Sequence, residues 1–182
     1  MPRTALIIGD LQRGITNNYP FAKSPLAPLT ELLPHARESG ILIVFVRFAF
    51  RANGTDVPPH NPLLRTFYED GENFHDGSAT TEVDLPVAST DVMVRKNRAS
   101  AFEGTDLDLV LRARGVSALA IAGVATSAMV AATCYGAADR DYDVTVLRDG
   151  CADADPAIHD FFMESVFPSR GFNVAACADW HG

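Results

Sequence analysis

Apolar runs of strand type alternate along the chain with segments of helical period. Uninterrupted runs rich in Val, Ile and Phe are typical of strands buried on both faces of a parallel sheet. Strands are predicted at residues 4–9, 41–47, 91–95, 117–124, 142–148 and 172–176. Leucines at helical spacing, C-terminal glycines and an Asp-Pro start predict helices at residues 25–39, 63–69, 106–114, 126–140 and 155–167.

Strands separated by helices favour a parallel sheet that is covered on both faces, because each crossover places a helix against the sheet. We therefore expect a single α/β domain over residues 1–182, a three-layer αβα Rossmann-like domain with a parallel sheet of about six strands. In such sheets, ligands bind beyond the carboxyl ends of the strands. The residues that end strands are therefore the first candidates for a functional site.

The segment from residue 48 to residue 85 departs from this alternation. It contains Pro58-Pro59, Asn61-Pro62 and several glycines. A long irregular segment inside a compact domain is more often a functional loop than a linker. Residues 51–61 are therefore a candidate lid over the carboxyl edge of the sheet.

The composition argues against several classes of binding partner and against a membrane protein. The 182 residues include 15 Lys and Arg and 23 Asp and Glu, which gives a net charge of −8 without any basic run. Nucleic acid and anionic membrane surfaces are therefore not expected partners. No apolar stretch approaches the roughly 20 residues of a membrane span. The first residues also lack the apolar region of a signal peptide, so we expect a cytoplasmic protein.

Known cofactor and metal motifs are missing from the sequence. There is no G-x-G-x-x-G after the first strand, no phosphate-binding G-x-x-x-x-G-K, and no G-x-S-x-G. The five histidines lack metal-binding spacing, and the three cysteines (Cys134, Cys151 and Cys177) contain no C-x-x-C pair. We expect no cofactor, no metal and a small-molecule substrate as the partner.

Three predicted strand ends carry candidate chemistry. Asp10 follows the first strand, where partial desolvation would raise its pKa and suit it to proton transfer, although a turn-capping aspartate is the alternative. Lys96 follows the third strand and could keep Asp10 ionised or hold a substrate oxygen, unless it is a solvated lysine. At residues 125–129 a strand turns into a helix whose first N–H groups could bind an oxyanion, with an ordinary capped turn as the alternative.

Substrate contacts are suggested by residues near the same edge. Arg47 ends the second strand, and its guanidinium could bind a carboxylate through two parallel hydrogen bonds. An ion pair with Asp or Glu is the alternative for this arginine. Phe21, Phe48 and Phe102 could form walls of a pocket or belong to the core.

Together these strand ends resemble the isochorismatase-like (cysteine hydrolase) superfamily over nearly the whole chain. Asp10-Leu11-Gln12 is similar to its D-x-Q motif, Lys96 with Ser100-Ala101-Phe102 to its K-x-x-x-S-A-F segment, and Gly123-Val124-Ala125-Thr126 to its G-x-x-T turn. The order and spacing of the three motifs make this resemblance specific.

The resemblance implies roles for these residues. In the cysteine-dependent members an Asp–Lys–Cys triad hydrolyses amides, with Asp as the base, Lys as its support and backbone N–H groups beside a cis peptide as the oxyanion site. Asp10 and Lys96 then take the first two roles, and the Val124–Ala125 peptide is the expected cis bond. Gln12, Ala125 and Thr126 are the substrate-binding candidates of these motifs. The family also implies a homodimer or homotetramer.

The position of the family's nucleophile is occupied by Met129. A thioether has no ionisable proton and cannot form and release a thioester. True isochorismatases also work without the cysteine, with the aspartate protonating a vinyl ether and water completing the reaction. Three hypotheses therefore stay open. The first is a hydrolase that uses Asp10, Lys96 and water on a small organic substrate, which could carry a carboxylate. The second is a catalytically silent relative that binds a small molecule or a protein, and the third is a cysteine hydrolase that uses Cys151.

Overall fold

A six-stranded parallel sheet lies at the centre of the structure, a computed structural model that describes residues 3–182. In chain order the strands are β1 (Arg3–Gly9), β2 (Leu42–Phe48), β3 (Val92–Lys96), β4 (Val116–Val124), β5 (Asp143–Ala152) and β6 (Asn173–Ala175). Their order across the sheet is β3-β2-β1-β4-β5-β6, and all neighbouring strands are parallel. The strand order reverses between β1 and β4, and ligands of open α/β sheets bind beside such a reversal.

Helices flank this sheet and cover its apolar strands. They are α1 (Arg13–Thr16), α2 (Leu26–Glu38), α3 (Pro62–Glu69), α4 (Leu107–Ala113), α5 (Ala131–Ala138), α6 (Pro156–Phe161) and α7 (Phe167–Ser169). A π-helical turn precedes α5 at Thr126–Val130 and α7 at Phe162–Val166. Within residues 3–182, no helix combines the length and the apolar character that crossing a membrane requires. The α/β fold with about six parallel strands, expected from the sequence, is confirmed.

The elements differ from the predicted ones in a few places. β5 continues to Ala152, beyond the predicted end at residue 148, because Cys151 and Ala152 still pair with the end of β4 after an irregularity in the ladder. Helix α2 passes through Pro34 without ending. The short helix α1 was not predicted, since four residues carry no periodic signal.

The irregular segment after β2 has a small apolar cluster of its own. Phe48, Phe50, Leu64 and Phe74 are buried together there. Their rings meet edge to face, with centroids 5.1 Å apart for Phe48 and Phe50 and 5.6 Å apart for Phe48 and Phe74. This cluster therefore packs the segment against the carboxyl end of β2, where the candidate residues lie.

Candidate active site at the carboxyl edge of the sheet

Asp10 and Lys96 form a buried ion pair above the end of β2. Asp10 directly follows β1, and Lys96 is the last residue of β3, so β2 lies between their strands. Lys96 Nζ lies 2.8 Å from Asp10 Oδ2, and the two side chains are only 1% and 11% exposed. The backbone at Asp10 has a φ of 62°, and its N–H donates to the Val46 carbonyl at 2.9 Å. The chain therefore turns away from the sheet at Asp10 and leaves its carboxyl group facing Lys96.

The second oxygen of Asp10 has no partner. Oδ1 is the one buried side-chain nitrogen or oxygen within residues 3–182 that makes no hydrogen bond. Burial raises the pKa of Asp10, and the neighbouring Lys96 ammonium offsets this rise only in part. The site thus contains a carboxyl group with a raised pKa and with one buried oxygen that has no hydrogen-bond partner.

Lys96 has further contacts on its other sides. Its Nζ donates to the Arg98 carbonyl at 3.0 Å, and it lies 4.8 Å from the centroid of the Phe48 ring. The ring belongs to the end of β2 and the carbonyl to the segment after β3, and together these contacts hold the ammonium beside Asp10.

Gln12 is fully buried, and its amide binds the end of β2. Its Nε2 donates to the Phe48 carbonyl at 3.0 Å, and its Oε1 accepts from the Phe48 N–H at 2.7 Å. The amide group expected to meet a substrate is thus engaged with the backbone of Phe48.

The turn after β4 has the cis peptide between Val124 and Ala125 that the resemblance implies. The Ala125 carbonyl accepts from the N–H groups of Ala128 at 3.1 Å and Val130 at 3.2 Å, which closes the π-helical turn. The Ser127 N–H, one of the donors expected to face a substrate, donates instead to Asp153 Oδ2 at 2.8 Å.

The hydroxyl group of Thr126 also has a hydrogen-bond partner within the protein. A hydrogen bond of 2.8 Å joins Thr126 Oγ1 and His159 Nδ1. Burial lowers the pKa of His159, which favours its neutral imidazole. Asp153 directly follows β5 and His159 lies on α6, so both residues attach the turn to the next segment of the chain.

Met129 fills the space between the ends of β1 and β4. The side chain is buried and lies against Gly9 and Gly123, where a Cβ atom on Gly123 would come within 2.7 Å of the Met129 methyl group. Thr133 Oγ1 donates to the Met129 sulfur at 3.4 Å. The thioether thus occupies the point at which the strand order reverses, beside the residue that precedes Asp10.

The two remaining candidates, Arg47 and Phe102, bind other residues of the protein. Arg47 forms an ion pair with Asp76 at 2.8 Å and donates to Thr81 Oγ1 at 3.1 Å, which is the alternative that the sequence left open. Phe102 is buried and stacks on Tyr142, with ring centroids 6.1 Å apart. Neither side chain makes a hydrogen bond or an ion pair with Asp10 or Lys96 in this structure.

All three cysteines are buried and free. Burial raises the pKa values of Cys134, Cys151 and Cys177, so each thiol stays protonated. Cys151 Sγ points to the Ile121 carbonyl, 3.8 Å away, rather than to Asp10. Within residues 3–182, no group of three His, Cys, Asp or Glu side chains is arranged to hold a metal ion.

Two aspartates that bind segments next to the candidate site were not identified from the sequence. Asp153 follows β5 as Asp10 follows β1, so the same strand-end rule could have found it. Asp56 lies in the candidate lid and accepts from Asn97 Nδ2 at 2.7 Å and from the Arg51 N–H at 3.0 Å. Burial tends to raise its pKa, but the hydrogen bonds from Arg51, Asn97 and Arg95 hold the pKa below its usual value. No sequence pattern signals this loop contact.

The chain is similar to known proteins over most of its length. Residues 4–179 match the model of the isochorismatase domain. A probable inactive nicotinamidase of Arabidopsis thaliana is 32% identical over 172 residues, which cover 86% of this chain and 84% of that protein.

Two solved structures are similar in both fold and sequence. An isochorismatase family protein from Desulfovibrio vulgaris subsp. vulgaris str. Hildenborough superposes with a TM-score of 0.87 at 29% identity, covering 98% of this chain and 96% of that one. N-carbamoylsarcosine amidase from Thermoplasma acidophilum superposes with a TM-score of 0.81 at 25% identity, covering 99% of each chain. The relatives thus include a named amidase and a protein named as inactive.

Proposed function

The chain belongs to the isochorismatase family, and on that premise we propose that it hydrolyses a small organic substrate through Asp10 and Lys96, with water and without a cysteine nucleophile. The observation that carries this proposal is the free oxygen of Asp10. A buried carboxyl oxygen without a partner is costly, because a buried polar group loses its hydrogen bonds to water. A substrate that supplies a partner to Asp10 Oδ1 removes this cost.

In this mechanism Asp10 is the general acid. The protonated carboxyl group donates its proton through Oδ1 to an atom of the substrate, and the Lys96 ammonium stabilises the carboxylate that remains. Water then adds to the activated carbon atom and returns one proton to Asp10. The bond from this carbon to the leaving oxygen or nitrogen breaks as the adduct collapses, and the second proton of the added water passes to the leaving group. The raised pKa of Asp10 supports this role, since a general acid must hold its proton at the working pH.

A covalent route lacks a suitable nucleophile. Met129 cannot ionise, and the three cysteine thiols are buried with raised pKa values. The Cys151 hypothesis therefore has no support from geometry. Unchanged turnover in Cys151→Ala would exclude it.

The test begins with a screen of small vinyl ethers, amides and carbamoyl compounds, with products detected by mass spectrometry. For a substrate that turns over, Asp10→Asn should lower kcat/KM by about 10²–10⁴-fold, the usual contribution of a general acid. Asp143→Asn is the matched control, because Asp143 is exposed and begins β5 at the opposite edge of the sheet. Unchanged turnover in Asp10→Asn, with the control also unchanged, would refute the assignment.

A second function, a catalytically silent protein that binds a small molecule or a partner, is favoured by Met129. Its side chain fills the space between Gly9 and Gly123 beside the ion pair. The name of the Arabidopsis relative, a probable inactive nicotinamidase, agrees with loss of activity in this family. Ligands that raise the melting temperature of the protein and are never converted would favour this second function.

A further inference from the structure

We propose that Phe48 and Gln12 are positioning residues. They hold the Lys96 ammonium group against Asp10 and prevent that ammonium group from binding the substrate. In this arrangement Gln12 fixes the end of β2, and the Phe48 ring closes the last open side of the ammonium. The inference rests on the proposed function of the Asp10–Lys96 pair.

The ammonium group of Lys96 has three N–H donors, and each has a neighbour. One faces Asp10 Oδ2 at 2.8 Å, and one faces the Arg98 carbonyl at 3.0 Å. The third side is covered by Phe48, whose ring centroid lies 4.8 Å from Nζ. A cation within about 6 Å of an aromatic ring is attracted to the negative face of the ring. Because the side chain is only 1% exposed, no donor is left for a further molecule.

The side-chain amide of Gln12 binds the backbone of Phe48 at the point where the neighbouring strand β1 has already ended. The ladder between β1 and β2 ends at the pair of Gly9 and Val46, because the chain turns away at Asp10. The backbone of Phe48 would then lack a neighbour on that side, although β3 still pairs with it on the other. The side-chain amide of Gln12 accepts from the Phe48 N–H and donates to its carbonyl, as the peptide groups of a strand would.

This arrangement has a chemical consequence for the ion pair. With all sides of Lys96 occupied, the pair can meet a substrate only through Asp10 Oδ1, the atom that lacks a partner. Lys96 then acts on the substrate only by stabilising the charge of Asp10. Phe48 and Gln12 act through Lys96, and neither needs to touch the substrate.

NMR of the lysine ammonium groups tests this without any substrate. The chain contains two lysines, and Lys23 is exposed, so ¹⁵N-lysine labelling gives one buried and one exposed ammonium group. In the wild-type protein, the Lys96 signal should exchange slowly with water and be shifted upfield by the ring current of Phe48. The Lys23 ammonium should exchange too fast to be seen.

Three variants separate positioning from general packing. Phe48→Leu should abolish the upfield shift and speed the exchange of the Lys96 ammonium. Gln12→Leu should reduce the shift, because the ring is no longer fixed. Phe74→Leu is the matched control, since it removes another buried ring of the same cluster, whereas the ring over the Lys96 ammonium is that of Phe48, and it should leave the signal in place.

An unchanged Lys96 signal in Phe48→Leu or in Gln12→Leu overturns the proposal, as does an equal effect of Phe74→Leu. Circular dichroism checks that each variant folds. If Phe48→Leu does not fold, the wild-type spectrum decides alone, because a Lys96 signal without an upfield shift also overturns the proposal. The result is independent of turnover, so a protein that proves catalytically silent can still pass or fail this test.

Discussion

At the scale of single residues, the proposed chemistry depends on how Asp10 is buried. Desolvation favours the protonated carboxyl group, and the Lys96 ammonium opposes this effect only in part, so the pKa of Asp10 lies above its usual value. The direction of this shift predicts how activity depends on pH.

We expect kcat/KM to fall as the pH rises through the pKa of Asp10. The general acid must be protonated, its pKa is raised by burial, and the protonated fraction decreases above that pKa. The descending limb of the pH–rate profile should therefore lie above the ordinary aspartate value of about 3.9. The profile can be measured with a substrate from the screen. A limb centred at the ordinary value would contradict this role for Asp10.

Met129 gives a second prediction at this scale. Met129→Ala should lower the free energy of unfolding by about 2–5 kcal/mol, because it leaves a cavity between Gly9 and Gly123. Urea denaturation measures this difference. Met93→Ala is the control, since Met93 is 42% exposed and its truncation should change stability by no more than about 0.5 kcal/mol. Equal effects of the two substitutions would show that Met129 does not fill this space.

At the scale of elements, the turn after β4 is attached to the segment that follows β5. Asp153 accepts from the N–H groups of Ser127 and Ala154, each at 2.8 Å, while His159 binds Thr126. Two residues of one segment thus fix the start of the helix that contains Met129. An anchored turn of this kind keeps the edge of the sheet in one conformation.

We therefore predict that Asp153→Ala loosens the turn. The Ser127 N–H loses its buried acceptor, which should cost about 1–3 kcal/mol and speed hydrogen exchange at the Ser127 amide. Asp155→Ala is the control, because Asp155 caps α6 through Ala157 and is exposed. If the exchange of Ser127 were equally fast in wild type and Asp153→Ala, the anchoring role would be refuted.

At the scale of the whole molecule, the order of the strands brings the site together. β1 and β4 lie side by side at the reversal of strand order, so Asp10 and the turn after β4 share one edge of the sheet. β3 lies two positions from β1, and the long side chain of Lys96 spans the strand between them. A homodimer or homotetramer and a cytoplasmic location stay predictions.

Taken by itself, the sequence determined the fold and the principal candidates. Uninterrupted apolar runs and helical periods are local signals, so the strands, the helices and the parallel sheet could be predicted from them. The rule that sites follow strand ends then selected Asp10 and Lys96, which the structure brings within 2.8 Å of each other.

Only the tertiary structure decided which partner each side chain has. Gln12 binds the backbone of Phe48, Arg47 pairs with Asp76, and the Phe48 ring covers Lys96. These contacts join residues far apart in the chain, and a polar side chain binds whichever compatible group the fold brings near it. Local patterns contain no information about that choice, because it depends on the packing of several elements at once.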